Sequence, residues 1–517
     1  MIRSLSIILF CTGETKSDHR PFHSTLKFLV ANGINPESIT VFFAGSRPEL
    51  DINAPILFTP KLIQMTKSNL VSDFINAANS NDYILVIFCQ DNPVNLTQSG
   101  LELFIMAAKQ NPNAGMIYSD YNIFDGTETI SVHLLKHHVG RLRDNQDFGN
   151  IYFFKRKTIE NCYRLSGVSL KNLPFHLRLC ASEDHDIIHI AGKQNGMPYT
   201  VFAKQQNDSV FDYLLSSKND QLEAEEILSS HLKQIGAFLI PNQGYHNRPK
   251  QKKDATLKAS IIIPVNHRPD FIGMAIESIL RQTVTDIEAI IVVNGGSEDP
   301  TSNVVRKYQT GGDMYQREKP DVRLIEIDIN NIGYSLNLGI EKSRGTYYIQ
   351  LDSDDRLKVN AVEKILEIFR SDSKIGMVIG SYDLWDLSAD GSLKKRKDLP
   401  VVTHDEWTEE NGRNNLLRIN GAGAPRAIPT QIIKEMGYFG INTSPFSNNY
   451  GEDYDMVLRI SELYRIGRIY EPIYEVVRHP GGTDHSIDQA TIDRNNEAKD
   501  WMRKMAVKRR QLMKLSE

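Results

Sequence analysis

The sequence predicts an α/β protein in which one unit occurs twice. Short apolar runs typical of buried strands alternate with amphipathic segments typical of helices, and this order favours mostly parallel sheets covered on both faces. Motifs of the first half recur in the same order in the second half. A polar, turn-rich linker at 241–258 separates the halves. We therefore expect domains at 1–240 and 259–487, followed by a C-terminal helix at 488–517.

The repeat rests on two sequence matches. In the first half, "DYILVIFCQDNPV" precedes a helix and "GMIYSDYNIFDG", and in the second half "TYYIQLDSDDRL" precedes a helix and "GMVIGSYDLWDLSADG". Further on, "SEDHDIIHIA" at 182–191 parallels "GEDYDMVLRIS" at 451–461. The order and similar spacing of the two matches predict a tandem duplication. The first segment, "SLSIILF", is interpreted as a strand because no small-residue cleavage site of a signal peptide follows it.

Composition excludes several classes of protein. Of the 517 residues, 40% are hydrophobic and 24% charged, so buried cores are expected, and a net charge of −4 offers no footprint for nucleic acid. The four cysteines have no paired spacing, which predicts neither a disulfide framework nor a zinc site and fits a reducing cytoplasm. No apolar run reaches the length of about 18 residues that a membrane span needs.

The stretch "GTYYIQLDSDD", 345–355, carries the strongest chemical signal. An apolar strand ends in three carboxylates, Asp352, Asp354 and Asp355. Crowded carboxylates repel one another unless a cation neutralises them, and oxygen ligands of this kind suit Mg²⁺ or Mn²⁺ with phosphate completing the coordination. The stretch therefore predicts a metal-diphosphate site, with a solvated acidic loop as the alternative.

The second half resembles glycosyltransferase family 2 over about 259–487. Its opening "SIIIPVNHRPDFIGMAIESILRQTVTDIEAIIVVNGGSED", its central "NNIGYSLNLGIEKSRGTYYIQLDSDD" and its late "GEDYDMVLRISE" are similar to three ordered motifs of that family. The resemblance implies the GT-A fold, a Rossmann-like α/β domain that binds nucleotide-diphospho-sugars. The whole chain would then hold two tandem GT-A domains, the first degenerate, plus a C-terminal helix.

The resemblance also implies a donor site for a nucleotide sugar, expected to be a UDP-sugar. Asn266-His267 stands where the family has Tyr-Asn, and Asn294-Gly295 where it has paired aspartates, so the base remains open. Asn331 and Gly333 could equally serve as a helix cap and a packing glycine. The candidate donor residues are Pro264, Val265, Asn266, Arg268, Asn294, Asn331, Gly333, Asp352 and Ser353.

By the same resemblance, Asp354 and Asp352 bind a divalent cation, Mn²⁺ or Mg²⁺, and His479 or His485 adds a ligand, His479 matching better. Asp453 matches the aspartate that the family uses as general base, and Glu452 beside it would bind acceptor. A helix start that favours acidic residues is the alternative explanation for this pair.

The first half departs from this pattern. Cys89 stands where the second copy has its first metal-site aspartate, Asp91 remains, and Lys204 lies where the histidine is expected. Glu183-Asp184 resembles the late acidic motif. We expect a non-catalytic or altered copy, and a second working transferase is the alternative.

The last thirty residues predict a helix rich in basic side chains. It either attaches to a membrane surface or docks through Trp501, Met505 and Leu512. Its basic residues beyond Trp501 are Arg503, Lys504, Lys508, Arg509, Arg510 and Lys514.

Together these features predict an inverting, metal-dependent glycosyltransferase that transfers a sugar to a hydroxyl of a glycan or lipid-linked acceptor in bacterial surface polysaccharide synthesis. It would be cytoplasmic, with peripheral contact at the inner face of the membrane. A bifunctional two-site enzyme and a glycan-binding scaffold are the alternatives. A sugar-phosphate nucleotidyltransferase would need a Gly-rich, basic loop after the first strand, and "PVNHRPD" is not one.

Overall fold

The computed structural model describes residues 5–13, 19–48, 60–66, 70–77, 81–160, 162, 167–193, 196–203, 217–250, 255–388, 390–444, 450–479 and 488–515. The chain divides into two compact units, Met1–Ile235 and Gly236–Glu517, here called the first and second units. Each unit is an α/β structure, as the alternation of strands and helices predicts.

The first unit is built around a mixed sheet that has seven strands in the described residues, ordered β10-β6-β9-β4-β1-β2-β3, with a small sheet β5-β11-β7-β8 beside it. Its apolar strands are buried because both faces of the sheet are covered, as in β4, where five of six residues are buried. Its elements are β1 (Leu5–Gly13), α1 (Arg20–Ala31), β2 (Ile39–Gly45), β3 (Lys61–Gln64), α2 (Leu70–Ala77), β4 (Tyr83–Phe88), β5 (Val94–Leu96), α3 (Gln98–Gln110), β6 (Ala114–Ser119), β7 (Tyr121–Phe124), β8 (Thr129–Val132), β9 (Ile151–Lys155), α4 (Arg156–Ile159), α5 (Leu173–Asp184), β10 (Asp186–Ile190), β11 (Tyr199–Phe202) and α6 (Lys218–Gln234).

The second unit has a larger sheet whose strand path in the described residues is β14-β13-β12-β15-β19-β17-β20-β16, with β18 paired to β17. Its elements are β12 (Leu257–Val265), α7 (Ile272–Leu280), β13 (Ile287–Val293), α8 (Thr301–Lys307), β14 (Asp321–Glu326), α9 (Ile332–Lys342), β15 (Gly345–Gln350), β16 (Arg356–Leu357), α10 (Ala361–Ser371), β17 (Ile375–Leu387), β18 (Leu393–Lys395), α11 (Gly412–Asn415), β19 (Arg426–Pro429), α12 (Thr430–Glu435), α13 (Glu452–Leu463), β20 (Arg465–Arg478) and α14 (Gln489–Leu515).

The core of the second unit lies between this sheet and its helices. All seven residues of β13 are buried, as expected for a parallel strand covered on both faces. Helix α10 buries Val362, Ile365, Leu366 and Phe369, which recur at helical spacing and so form one apolar face. The core holds the strands rigidly, so their carboxyl ends present the following polar residues at fixed positions.

One sequence expectation about cysteines is wrong. Cys162 and Cys180 form a disulfide in the first unit, with Cα atoms 5.9 Å apart. Cys180 lies on α5, and Cys162 lies three residues after the end of α4. A spacing of 18 residues fits no motif, so only the fold brings these two thiols together.

The second sequence match of the repeat is also wrong. Glu183-Asp184 ends α5, whereas Glu452-Asp453 begins α13, although each helix runs into the strand that pairs with β6 or β17. Each helix has 12 residues and is followed by one residue and then the strand. The structural counterpart of Glu183 is therefore Glu462. The shared letters "ED" align the end of α5 with the start of α13, although the two helices correspond to each other from start to start.

Helix α14 docks differently from the sequence expectation. Trp501, Met505 and Leu512 are 40%, 42% and 66% exposed. The docked face instead buries Met502, Ala506 and Val507. It also buries two arginines: Arg503 donates to the carbonyls of Leu417 and Ile419, and Arg510 to that of Arg413. Three of the six basic residues beyond Trp501 thus pair within the unit: Arg503, Arg510, and Arg509, which bonds Glu462. In the part of the chain that is described, no helix has the length and apolarity to cross a membrane.

Candidate active site

The carboxylates after β15 have different surroundings. Asp355 is buried and accepts a hydrogen bond from the backbone N–H of Val477 at 2.8 Å and another from Tyr474. The backbone N–H of Asp352 donates to the Tyr474 hydroxyl at 3.1 Å. These bonds tie the loop to β20, so Asp355 has a structural role, whereas Asp352 and Asp354 are more exposed to solvent.

The structure brings two predicted metal ligands together from distant parts of the chain. His479 Nε2 lies 3.0 Å from Asp354 Oδ2, although 125 residues separate them. The imidazole is nearly buried and packs on the Phe271 ring with centroids 4.2 Å apart, while the Asp354 side chain is 25% exposed. The alternative ligand, His485, lies outside the described residues.

These residues fit a divalent cation that also needs a diphosphate. Asp354 Oδ2 and His479 Nε2 are within hydrogen-bond distance of each other at 3.0 Å, and a carboxylate oxygen and an imidazole nitrogen are both groups that bind divalent cations. Within the described ranges, no three His, Cys, Asp or Glu side chains form a ready-made metal cluster.

Mutual repulsion supports the same interpretation. Burial and, after it, the neighbouring charge of Asp354 together raise the pKa of Asp352 to about 6. Burial likewise raises the pKa of Asp355. Carboxylates that resist ionisation in one another's presence are stabilised when a cation enters, because the cation favours their charged forms.

The predicted base lies at the start of α13. Gly451 precedes the helix with φ of +93°, a left-handed conformation that glycine adopts without strain, and the helix begins directly at Glu452. Asp453 Oδ2 forms an ion pair with Arg426 Nη2 at 2.5 Å, and its side chain is 24% exposed. Burial raises the pKa of Asp453, but Arg426 and then Lys499 lower it more, so that the net shift is downward.

Glu452 has the opposite environment. It is 8% exposed, and burial together with the adjacent charge of Asp453 raises its pKa to about 7. The two neighbouring carboxylates therefore have pKa values pushed apart, an arrangement typical of acid–base sites. At neutral pH Asp453 is the ionised member of the pair and is the more exposed one, so it can accept a proton.

Sequence reasoning missed Arg426. It opens β19, next to β15 in the sheet, and its Nη1 donates to Gln350 Oε1 at 3.2 Å on that strand. Its Nε donates to the carbonyl of Ala422 at 2.8 Å. The available signal in the sequence is the single arginine within the segment "NGAGAPRAIPT".

The predicted nucleoside pocket lies at the ends of β12 and β13, which are parallel neighbours. Asn266 Nδ2 donates to Asn294 Oδ1 at 2.9 Å, and Asn294 Nδ2 donates to the Ser335 hydroxyl at 3.1 Å. Asn294 therefore links the end of β12 to α9, and it is 3% exposed. Asn266 and Arg268, both half-buried, remain the more accessible donor candidates, beyond Pro264 and Val265 at the end of β12.

Asp299 is a second residue that sequence reasoning missed. Its buried carboxylate accepts from the backbone N–H groups of His267 at 2.8 Å and Thr301 at 2.9 Å. Burial raises its pKa, and the bonds to Thr301 and His267 lower it below the ordinary value. Asp299 thereby fixes the loop that carries Arg268, and "NGGSED" gave only a turn signal for it.

Asn331 and Gly333 have structural roles. The Asn331 side chain accepts from the backbone N–H of Tyr334 at 2.9 Å and caps α9. A Cβ at position 333 would collide with the carbonyl of Gly440, so glycine is required there by close backbone approach. Ser353 is buried at 9% exposure within the acidic loop. Donor contact by these three residues stays a prediction.

A cleft of about 730 Å³ lies elsewhere in the second unit, along α9, α13 and α14. Its lining in the described residues includes Tyr334, Ile441 and Met505 but none of the predicted metal ligands or carboxylate bases. Its polar side chains pair internally, as Arg459 does with Asp455 at 2.8 Å. The predicted metal ligands lie instead after the ends of β15 and β20, and the predicted base lies at the start of α13.

The second unit matches a known family at the strands and loops that build this site. The family described as Glycosyl transferase family 2 matches residues 260–409, from β12 through the acidic loop to the region after β18. This chain carries a glycosyltransferase family 2 domain. The predicted α/β fold is confirmed for this domain, and its parallel strands β14-β13-β12-β15 and the acidic loop that follows them lie in the region of the match.

Relatives with curated names agree with the family. The chain is 26% identical to a chondroitin synthase of Escherichia coli over 333 residues, which is 61% of this chain and 43% of the relative. It is 27% identical to a hyaluronan synthase of Pasteurella multocida over 46% of this chain and 22% of the relative. An uncharacterized glycosyltransferase of Rickettsia typhi is 30% identical over 40% of this chain and 60% of the relative. The chain thus spans less than half the length of either synthase.

Solved structures with similar chains include residues 1–349 of S. aureus TarS in complex with UDP-GlcNAc, at 17% identity and a TM-score of 0.33 over 45% of this chain and 62% of that one. Another is the mannosyltransferase PcManGT from Pyrobaculum calidifontis in complex with GDP-Man and Mn²⁺, at 14% identity and a TM-score of 0.34 over 57% of this chain and 83% of that one.

Proposed function

We propose that the second unit is an inverting, metal-dependent glycosyltransferase that moves a sugar from a nucleoside-diphosphate donor to a hydroxyl of a glycan or lipid-linked acceptor. The observation that carries the proposal is the pairing of Asp354 with His479 at 3.0 Å and of Asp453 with Arg426 at 2.5 Å, with Asp352 close enough to interact electrostatically with Asp354, Arg426 and Asp453. The family domain and the named synthases support polysaccharide synthesis as the setting.

On the donor side, Asn266 and Arg268 would bind the nucleoside at the ends of β12 and β13. Asp354 and His479, with Asp352, would hold Mn²⁺ or Mg²⁺ against the diphosphate. When bound, the ion neutralises the charge that develops on the departing diphosphate. A UDP-sugar is the proposed donor, as in the TarS complex, although PcManGT holds a GDP-sugar.

On the acceptor side, Asp453 would take the proton from the attacking hydroxyl. An ionised carboxylate can do this at neutral pH, and the lowered pKa of Asp453 keeps it ionised. Attack from the face opposite the leaving diphosphate inverts the anomeric centre in one displacement. Glu452, with a pKa of about 7, would hold the acceptor substrate by a hydrogen bond. It can donate that bond when protonated and accept it when ionised.

We propose that the first unit does not catalyse transfer. Counting along the matched helices, Leu173 and Pro174 stand where the second unit has Glu452 and Asp453. The predicted counterpart of the histidine, Lys204, lies outside the described residues. A proline cannot act as a base, so the bifunctional alternative would need a residue from another position.

The place in the cell is also a proposal: the cytoplasmic face of a membrane, contacted by the exposed side of α14. Trp501, Met505, Lys508 and Leu512 share that side at helical spacing. The disulfide between Cys162 and Cys180 is unusual for a reducing compartment, so it must tolerate or resist reduction there. Co-sedimentation with anionic vesicles, with Leu512→Asp as the variant, tests the contact.

The function is tested by release of nucleoside diphosphate from UDP-GlcNAc, UDP-glucose, UDP-galactose and GDP-mannose, each with Mn²⁺ and with EDTA. We expect turnover of at least one donor that stops with EDTA and in the Asp354→Ala protein. Turnover that survives both changes would contradict the metal assignment. Absence of turnover and of UDP binding would favour the glycan-binding scaffold.

A further inference from the structure

Arg426 connects the two halves of the proposed site. The three nitrogens of its guanidinium each bind a different segment. Nη2 pairs with Asp453 on α13, Nη1 donates to Gln350 on the donor strand β15, and Nε donates to the carbonyl of Ala422 before β19. The side chain is only 16% exposed. A planar guanidinium with its donors directed at three fixed partners has one orientation available, so the carboxylate paired with it is held too.

The charges around Asp453 show what Arg426 offsets. Glu452 adjoins it on α13, and Asp352 and Tyr348 interact with it from the donor strand and its loop. The cations near it are Arg426 and Lys499 of α14, and Lys499 donates to the carbonyl of Asn420. Without Arg426, only Lys499, which is already engaged, would offset the charges of Glu452 and Asp453, and we expect the Asp453 side chain to turn away from its neighbours.

We propose that Arg426 is a positioning residue for transfer: it fixes the Asp453 carboxylate at a set place relative to the donor strand β15. This rests on the proposed function, in which Asp453 is the base. Arg426 acts through Asp453 and through strand geometry, and it does not bind the donor. A displacement of about 1 Å at a reacting group can cost about a hundredfold in rate, so the effect on turnover should be large.

The test is a double-mutant cycle on the full chain. Arg426→Gln should lower turnover of the active nucleotide sugar by about 10- to 100-fold, with UDP affinity in Mn²⁺ changed less than about threefold. In the Asp453→Asn background the same substitution should lower turnover by less than about threefold, because its target is already lost. Arg306→Gln removes a comparable arginine–carboxylate pair, Arg306 with Glu326 at 2.7 Å, and should change neither quantity.

A pH profile provides a readout that a merely structural role would not move. Arg426 lowers the pKa of Asp453, so its removal should shift the acid limb of kcat/KM to higher pH. Arg426→Lys keeps the charge but loses the three-way bridge. It should keep the acid limb of the native protein while turnover falls about three- to tenfold, and it remains informative if Arg426→Gln does not fold by circular dichroism.

Three results would overturn the proposal. Additive losses in the double mutant would show that Arg426 acts independently of Asp453. Loss of UDP affinity in Arg426→Gln, with an unchanged acid limb, would make it a donor-binding residue. Native turnover in Arg426→Lys together with an unmoved acid limb in Arg426→Gln would leave it only a structural contact. If the native chain turns over no donor of the panel, the proposed function fails first, independently of these comparisons.

Discussion

The two units share a backbone plan but not a site. Reading the second sheet in reverse, β20-β17-β19-β15-β12-β13-β14 has the same sequence of parallel and antiparallel pairs as β10-β6-β9-β4-β1-β2-β3. This agreement supports the proposed duplication. The order of strands in a sheet depends on buried apolar residues, and many sequences provide these. A site depends on a few particular polar side chains. The sheet can therefore persist after the site is lost.

Strand register locates the differences. Phe153 of β9 pairs with Ile117 and Leu85, and Ala427 of β19 pairs with Val378 and Ile349. Phe153 therefore corresponds to Ala427, and Tyr152, which precedes it, stands where Arg426 stands in the second unit. Tyr152 is 4% exposed and packs on Phe88. The first unit has an apolar contact where the second has its bridging cation.

The same register shifts the alignment of Cys89 with Asp352, which the sequence suggested, by one residue. Counting forward from Leu85 and Ile349 places Phe88, rather than Cys89, opposite Asp352, and Asp91 opposite Asp355. Asp355 is the structural member of the acidic loop. The surviving aspartate of the first unit thus corresponds to the anchor and not to a metal ligand.

A structural contact does persist in both units. Glu183 near the end of α5 lies 3.3 Å from His231 of α6, and Glu462 near the end of α13 bonds Arg509 of α14 at 2.8 Å. In each unit a buried glutamate joins the last helix to the one before it. Contacts that hold a fold together remain in a unit from which the site residues are missing.

The largest contrast between the units should come from metal-dependent donor binding. Asp354→Ala should abolish binding of UDP in Mn²⁺, because the partly exposed carboxylate lies beside His479 and not in the core. Asp91→Ala should leave binding unchanged. Calorimetry with UDP and Mn²⁺ measures both, and full binding by the Asp354→Ala protein would remove the metal assignment.

The next contrast concerns the base. Asp453→Asn should keep UDP binding near normal and lower transfer by about a hundredfold or more, as expected when a positioned general base is lost. Asp184→Asn should have no comparable effect, because Asp184 ends its helix. A loss of transfer in Asp184→Asn equal to that in Asp453→Asn would restore the bifunctional alternative.

A smaller contrast is expected in the pH dependence of stability. The pKa of Glu452 is raised from 4.5 to about 7, so it prefers the protonated form in the folded state. Its stabilising contribution is complete below about pH 4.5 and is lost as pH rises to about 7. Between pH 5 and pH 8 the native protein should therefore lose about 2 kcal/mol of unfolding free energy through Glu452, and the Glu452→Gln protein should not show this loss.

Glu183→Gln is the matched control in the first unit, where the glutamate is already paired with His231. Urea melts at the two pH values, without metal or donor, measure both variants. An equal pH effect in both would show that burial of Glu452 beside Asp453 is not the cause.

The smallest effect on transfer should follow from loss of the disulfide. Cys162→Ser/Cys180→Ser removes a cross-link that closes a loop of 18 residues in the first unit. We expect that unit to lose about 3 kcal/mol of stability, with turnover in the second unit unchanged. Differential scanning calorimetry and the donor assay measure the two effects, and a parallel fall in turnover would show that the first unit supports catalysis.

The sequence by itself determined the alternation of strands and helices, the acidic loop at the end of β15 and the family of the second unit. These are local: apolar periodicity and a short carboxylate motif can be recognised within one segment. It failed where the answer depends on distance in space. The thiols of Cys162 and Cys180 and the bridge from Arg426 to Asp453 join residues whose proximity no local pattern encodes. The approach of His479 to Asp354 was expected only through the family resemblance, and the fold supplies it across 125 residues. The tertiary structure also decided which "ED" begins a helix, because identical letters at opposite helix ends differ only in the packing around them.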